Sequence, residues 1–122
     1  MLRIGITGKS GFIGNHLYNY LGLHEGIELV NFDHDFFNDK ELLQNFVKQC
    51  DVIVHLAALN RHIDPEVIHN TNVSLIQLLI DSMEAENVTP HIIFSSSTQE
   101  EKDNLYGKSK KEGTHLLSQW AQ

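Results

Sequence analysis

The chain has 122 residues, 41% of them hydrophobic and 20% charged, which is enough for one compact domain with a core but not for two domains. A net charge of -7 without a run of lysine or arginine argues against a nucleic-acid or anionic-membrane surface. The lone Cys50 supports neither a disulfide framework nor a thiolate metal site, and we expect no metal. With no signal-like leader and no apolar run near the roughly 20 residues of a membrane span, we expect a cytoplasmic protein.

Four short apolar runs have the length and composition of strands. They span Leu2–Thr7, Glu28–Phe32, Asp51–Leu56 and His91–Ser95. The third run is almost continuously apolar, which is typical of a parallel strand covered on both faces.

Helical periodicity follows the first two strands. A helix is predicted over Ile13–Leu23, with one apolar face formed by Ile13, Leu17, Tyr20 and Leu21. A second helix is predicted to begin at a capping box of Asn38 and Glu41 and to continue through Lys48.

Two further helices complete the alternation. Asp64 and Pro65 supply an N-cap and a first-turn proline for a long helix, and Leu105–Trp120 forms the last one. Strands separated by helices, with no hairpin signal, imply right-handed parallel crossovers. We therefore predict an α/β fold, an open parallel sheet with helices on both faces in three αβα layers, as a single domain over residues 1–122.

A glycine-rich turn directly follows the first predicted strand. Gly8, Gly11 and Gly14 have the spacing G-x-x-G-x-x-G and open the first helix. A pyrophosphate can approach the backbone closely there, because the free N–H groups and the dipole of a helix N-terminus favour anions. Three glycines alone are also compatible with an ordinary tight turn, but their place between strand and helix favours a Rossmann-like dinucleotide site.

An acidic residue marks the second part of such a site. Asp33 follows the second strand, about 20 residues past the glycines, where a carboxylate can accept hydrogen bonds from the ribose hydroxyls and would repel a 2′-phosphate. Lys9 and His34 are both able to pair with that phosphate. The predicted cofactor is NAD(P)(H), with the choice between NAD and NADP left open.

Residues near the end of the chain suggest proton-transfer chemistry. Tyr106 and Lys110 lie four residues apart on the last predicted helix and project from one face. A lysine ammonium beside a phenol favours the phenolate, which allows the tyrosine to exchange a proton near neutral pH. The fourth strand ends in hydroxyl side chains over residues 95–98, at the sheet edge where ligands bind in such folds.

These motifs, in this order, resemble the extended short-chain dehydrogenases, also called the NAD-dependent epimerase/dehydratase family, which act mostly on nucleotide-linked sugars. The similar segments are Thr7–Gly14, His55–Ala58, Asn72–Val73, Phe94–Ser97 and Tyr106–Lys110. The resemblance implies that Ser97 is the catalytic hydroxyl, Tyr106 the acid/base and Lys110 its activator.

The resemblance also implies a set of cofactor-binding residues, in which Asp35 is similar to an aspartate that contacts adenine. The set comprises Gly8, Ser10, Gly11, Phe12, Ile13, Gly14, Asp33, Asp35, Leu56, Ala57, Ala58, Asn72, Tyr106 and Lys110.

Within the family, residues 54–61 and the short connection over residues 34–37 look most like the bacterial capsular-polysaccharide and O-antigen nucleotide-sugar reductases. These enzymes reduce a 4-keto sugar in the route to UDP-N-acetyl-L-fucosamine. The resemblance implies hydride transfer between nicotinamide and a keto or hydroxy sugar, with a UDP-sugar as substrate. It also implies that the chain is the N-terminal part of a longer enzyme, truncated before the substrate domain, and that it pairs as a homodimer through its last two helices.

A second interpretation belongs to another class of protein: a non-catalytic dinucleotide-binding or interaction module with the same fold. A flavodoxin-like or response-regulator domain has the right size, but it gives no reason for the glycine spacing.

Overall fold

The computed structural model of the chain describes residues 1–9, 11–58, 63–94 and 105–121. Its strands are β1 (Leu2–Thr7), β2 (Ile27–Val30), β3 (Val52–His55) and β4 (His91–Phe94). Its helices are α1 (Phe12–Leu21), a 3-10 helix (His34–Asn38), α2 (Lys40–Gln49), α3 (Pro65–Glu86) and α4 (Leu105–Trp120). The predicted alternation of strands and helices is confirmed, with most boundaries moved by one or two residues. Ser95, predicted to end the fourth strand, lies outside the described residues.

The four strands form one parallel sheet in the order β2-β1-β3-β4. Thr7 at the end of β1 is in register with His55 at the end of β3. After β1 the chain turns to one side to reach β2, whereas after β3 it turns to the other side to reach β4. Neighbouring strands that diverge in this way open a crevice at their carboxyl ends, which is where ligands bind in open α/β sheets.

The chain divides into two compact units. The first comprises Met1–Ala57 and Asp81–Phe94 and contains the whole sheet with α1 and α2. The second comprises Ala58–Ile80 and Ser95–Gln122 and contains α4 and most of α3. Nowhere in the described parts of the chain does a helix combine the length and the apolarity needed to cross a lipid bilayer.

One face of the sheet is covered by α1, and the predicted apolar side of this helix is confirmed for Leu17 and Leu21 only. Its contacts join three residues of the helix to a buried cluster of the sheet: Leu17, Tyr18 and Leu21 against Ile4, Ile6 and Val54. Ile13 is 65% and Tyr20 60% exposed, so the prediction that these two side chains face the core is wrong. The reason is the buried Gly14, whose close contact with the backbone of the preceding turn directs its own side of the helix toward the sheet.

The opposite face of the sheet is covered by α2. A Cβ added at Gly5 of β1 would meet the Phe46 ring and would lie 2.5 Å from the Cys50 Sγ, so the helix lies directly on the strand. Burial raises the pKa of the Cys50 thiol to about 12, and this thiol donates a hydrogen bond to the Phe46 carbonyl oxygen at 3.2 Å. The cysteine is therefore a core residue, and helices cover both faces of the sheet within the first unit.

The start of α2 differs from the predicted capping box. Asp39 is the N-cap, and its Oδ1 accepts hydrogen bonds from the N–H groups of Glu41 at 3.1 Å and Leu42 at 3.2 Å. The prediction of a capping box between Asn38 and Glu41 is wrong, because Asn38 is the last residue of a 3-10 helix that the apolar pattern did not indicate. At α3, by contrast, the predicted cap is confirmed, since Asp64 Oδ1 accepts the N–H of Glu66 at 3.0 Å.

The assignment of Asp39 rather than Asn38 as the cap of α2 can be tested. Replacing Asp39 with alanine leaves two first-turn amides of α2 without their acceptor and should lower the free energy of unfolding by about 1 kcal/mol. The matched control Asn38→Ala should change it by less than about 0.5 kcal/mol, because this side chain caps nothing. Urea unfolding followed by circular dichroism compares the two, and an equal loss in both variants would contradict the assignment of Asp39 as the cap.

Candidate functional site

The glycine turn after β1 is held by contacts between backbone atoms. Gly8 has a φ of +81°, in the left-handed region that favours glycine, and a Cβ added there would lie 2.7 Å from the Ala57 nitrogen. A Cβ at Gly14 would overlap the Gly8 carbonyl group and would lie 2.9 Å from the Lys9 Cα. Both positions therefore need a residue without a side chain, since the atoms in the way belong to the backbone.

The environment of Gly11 is different. It is the N-cap of α1 in an extended conformation, and the nearest atom to an added Cβ is the Gly8 oxygen at 3.4 Å, an ordinary contact distance. Among the described residues the space beside Gly11 is open, and its conformation does not require glycine.

The helix that begins at this opening presents unpaired donors. The first N–H groups of any helix, here those of Phe12 and Ile13, have no acceptor within the helix. Within the described part of the chain no side chain caps α1, and its first turn carries no acidic residue. Phe12 is 81% and Ile13 65% exposed, so both side chains lie on the surface. The turn thus combines free amides, the positive end of a helix dipole and an open space, a combination suited to a phosphate group.

The end of β3 lies beside this turn. Thr7 Oγ1 accepts hydrogen bonds from the N–H groups of Leu56 and Ala57, both at 3.1 Å, and it lies 2.7 Å from the His55 Nδ1. Thr7 and His55 are buried. The sequence motifs that contain these two residues did not indicate this contact. The available signal was that each of two apolar strands ends in a polar residue.

The acidic residues after β2 lie at the surface. Asp33 caps the 3-10 helix, and its Oδ1 accepts the N–H of Asp35 at 2.9 Å. The Lys9 ammonium lies over the Tyr18 ring, 5.1 Å from its centroid, in a cation–π contact. Lys9 is therefore directed toward α1, whereas Asp33 is fixed at the carboxyl end of β2.

The predicted site residues are distributed over both units. The first unit holds the three glycines, Phe12, Ile13, Asp33, Asp35, Leu56 and Ala57. The second unit begins at Ala58; Asn72 is buried there within α3, and positions 106 and 110 lie one turn apart on α4. Ser10 and Ser97 lie outside the described residues.

A parallel sheet with a glycine turn at its switch point defines a Rossmann-type dinucleotide-binding domain. The family model of the NAD dependent epimerase/dehydratase family matches residues 4–121. The chain belongs to this family, and nicotinamide dinucleotides are the cofactors of the family.

Three similar proteins illustrate the relationship. The UDP-2-acetamido-2,6-beta-L-arabino-hexul-4-ose reductase of Pseudomonas aeruginosa is 32% identical over 110 residues, which are 90% of this chain and 29% of that protein. RMD from Pseudomonas aeruginosa, solved with NADPH, superposes with a TM-score of 0.83 at 24% identity, over 99% of this chain and 49% of RMD. The capsular polysaccharide assembling protein CapF from Staphylococcus aureus has a TM-score of 0.76 at 28% identity, over 98% and 30% respectively. The chain spans less than half the length of each.

The glycine contacts predict an order of stabilities. Gly8→Ala and Gly14→Ala should each destabilise the fold by about 1–3 kcal/mol, because each forces backbone atoms apart or strains a left-handed conformation. Gly11→Ala should leave stability unchanged or raise it by up to about 1 kcal/mol, since alanine fits its conformation and restricts the unfolded chain. Thermal unfolding of the three variants tests this order, and a destabilised Gly11→Ala would show that the space beside it is not open.

Proposed function

We propose that the chain is the cofactor-binding part, a single domain over residues 1–122, of an NAD(P)-dependent nucleotide-sugar reductase, epimerase or dehydratase. The observation that carries the proposal is the glycine turn at the switch point of the sheet, where the space beside Gly11 adjoins the free amides of α1. Membership in the NAD dependent epimerase/dehydratase family supports the same cofactor.

The residues of the chain suit different parts of the dinucleotide. The amides of Phe12 and Ile13, with Gly11 and Ser10, would bind the pyrophosphate, because a helix N-terminus without acidic neighbours favours an anion. Asp33 would accept hydrogen bonds from the adenosine ribose, and Asp35 would lie against adenine. The remaining contacts are assigned to Leu56, Ala57, Ala58, Asn72, Tyr106 and Lys110.

We infer a preference for NADH over NADPH. Asp33 is fixed by its hydrogen bond to the Asp35 amide, so its negative charge stays at the position where a 2′-phosphate would lie. Lys9, the cation in the glycine turn, is directed to the Tyr18 ring instead. The Asp33 carboxylate would therefore repel a 2′-phosphate, whereas the lysine of the glycine turn is engaged with Tyr18.

Fluorescence titration with NADH and with NADPH tests the cofactor assignment. We expect the chain to bind NADH more tightly than NADPH. Gly11→Ala should keep the fold and weaken NADH binding about tenfold or more, because a methyl group would occupy the space proposed for the phosphates. Ala85→Ser, an exposed change on α3, serves as the control and should bind like the wild type. Binding of neither dinucleotide by the wild-type chain would overturn the proposed function.

The proposed chemistry uses Ser97, Tyr106 and Lys110. The nicotinamide supplies or accepts the hydride at the sugar carbon. Tyr106 would exchange the accompanying proton with the sugar oxygen, Lys110 would favour the phenolate form, and Ser97 would donate a hydrogen bond to the reacting oxygen. The α4 backbone supports this assignment, since positions 106 and 110 lie one helical turn apart.

The catalytic assignment is testable in the full-length enzyme. Tyr106→Phe should reduce turnover by about 100-fold or more, because general acid–base groups contribute at least this much, while the variant still binds the cofactor. Tyr20→Phe on α1, an exposed tyrosine outside the proposed site, should leave turnover unaltered. Turnover that survives the loss of the Tyr106 hydroxyl would remove this residue from the mechanism, and a protein that binds dinucleotide without any turnover would favour the non-catalytic module.

For the substrate we propose a UDP-linked keto or hydroxy sugar used in capsular or surface polysaccharide synthesis. The support is twofold: the relative of 32% identity is named as a reductase of a UDP-linked 4-ketosugar, and CapF is described as assembling capsular polysaccharide. In this role the enzyme would transfer a hydride to the ketone carbon and a proton to its oxygen.

We also propose a homodimer formed through α3 and α4. In the second unit these helices border an open groove of about 390 Å³, lined by His69, Lys111, Glu112 and His115. In a two-fold interface the same surface meets itself, so basic and acidic groups on one surface can pair across the axis. The groove carries both kinds of charge.

Sedimentation equilibrium tests the dimer. The wild-type chain should associate in pairs, and Lys111→Glu should weaken association about tenfold, because the groove then carries two adjacent carboxylates and loses its lysine. Asn19→Asp, an exposed change on α1 outside the proposed interface, should leave association unchanged. A wild-type chain that stays monomeric at every concentration would contradict the proposal.

A further inference from the structure

Two buried polar side chains meet where β1 and β3 end. Thr7 is 0% exposed and His55 1% exposed, and the Thr7 Oγ1 lies 2.7 Å from the His55 Nδ1. Phe94 stacks on the imidazole with ring centroids 5.8 Å apart, and Phe37 meets it edge-on at 6.4 Å. The imidazole is thus packed between the rings of Phe37 and Phe94. The Thr7 hydroxyl is shielded from solvent.

The contacts of Thr7 determine the direction of this hydrogen bond. The N–H of Ala57 donates to the Thr7 Oγ1, and the N–H of Leu56 is shared between this oxygen and the Thr7 carbonyl oxygen, each contact being 3.1 Å. Both groups are donors. Among the atoms that the described residues place within hydrogen-bonding distance of Oγ1, His55 Nδ1 is the one able to accept its hydrogen. The hydroxyl therefore donates to Nδ1, and the ring proton of His55 is on Nε2.

The Thr7 Oγ1 also connects the glycine turn to the segment that follows β3, both of which belong to the proposed cofactor site. Thr7 immediately precedes the left-handed Gly8, whose backbone lies against Ala57 so closely that a Cβ would be 2.7 Å from the Ala57 nitrogen. A buried N–H that loses its acceptor is costly, so the Ala57 amide stays in place only while Oγ1 remains directed at it. The bond to His55 turns the hydroxyl hydrogen away from the two amides, so the lone pairs of Oγ1 stay directed at them.

From this arrangement we propose that Thr7 and His55 are positioning residues for the dinucleotide: His55, as the Nε2–H tautomer, orients the Thr7 hydroxyl, which joins the glycine turn to the end of β3. The inference rests on the proposed function, since it assigns these two residues to the geometry of the same cofactor site. Neither side chain needs to touch the cofactor.

The tautomer is measurable without any cofactor. In the ¹⁵N-histidine NMR spectrum of the wild-type chain, Nδ1 of His55 should have the chemical shift of an unprotonated nitrogen that accepts a hydrogen bond, and Nε2 that of a protonated one. Thr7→Val keeps the side-chain shape but removes the hydroxyl, so the Nδ1 signal should move toward that of an unbonded nitrogen. A protonated Nδ1 in the wild type would overturn the inference.

The positioning role is tested by dinucleotide titration of the same variants, well below the unfolding transition of each. We expect Thr7→Val and His55→Phe to weaken binding about tenfold, while Thr7→Ser and His55→Asn, which keep the donor and an acceptor, restore most of it. Val54→Ala, a core change on the same strand, should lower stability without changing affinity.

The outcomes separate the two proposals. A wild-type chain that binds no dinucleotide would overturn the proposed function, whereas wild-type binding that Thr7→Val leaves unchanged would overturn the positioning role alone. If the valine variant does not fold, the comparison of His55→Phe with His55→Asn decides, because equal affinities in that pair would likewise contradict the inference.

Discussion

The orientation of α1 and the position of its first amides depend on one contact between backbone atoms. At Gly14 the helix passes so close to the glycine turn that a Cβ would not fit. This approach determines the rotation of α1, so that Leu17, Tyr18 and Leu21 reach the sheet while Ile13 stays at the surface. It also places the first free amides of the helix beside the open space at Gly11. A residue with a side chain at this point would separate helix from turn and disperse the donors that an anion requires.

The sheet topology determines which segment of the chain lies beside the glycine turn. Because β1 and β3 are neighbours whose connections leave in opposite directions, the glycine turn and the segment after His55 lie at the same edge of the sheet. The Thr7 hydroxyl joins them by accepting the Ala57 amide. Satisfied hydrogen bonds in this buried position fix the geometry, since a buried donor without an acceptor is destabilising. The stability of the fold and the geometry of the proposed cofactor site therefore depend on the same few atoms.

Most elements were predictable because their patterns are local. The last helix has the predicted bounds, and the Asp64 cap is where the sequence places it. The errors occurred where two local patterns compete or where packing decides. Asn38 and Asp39 are both good caps, but Asn38 belongs to the 3-10 helix as its last residue, which leaves Asp39 in the capping position. Tyr18 and Tyr20 both fit an apolar helix face, and the contact at Gly14 selects Tyr18.

The sequence by itself determined the alternation of strands and helices, the glycine spacing and the family resemblance, because periodicity, residue type and motif order are properties of neighbouring residues. Only the tertiary structure showed that Gly8 and Gly14 are required by close backbone contacts while Gly11 borders open space. It also showed the buried pair of Thr7 and His55, which are 48 residues apart in the chain and meet through the pairing of β1 with β3. Such pairs depend on strand order and register, which no local pattern specifies.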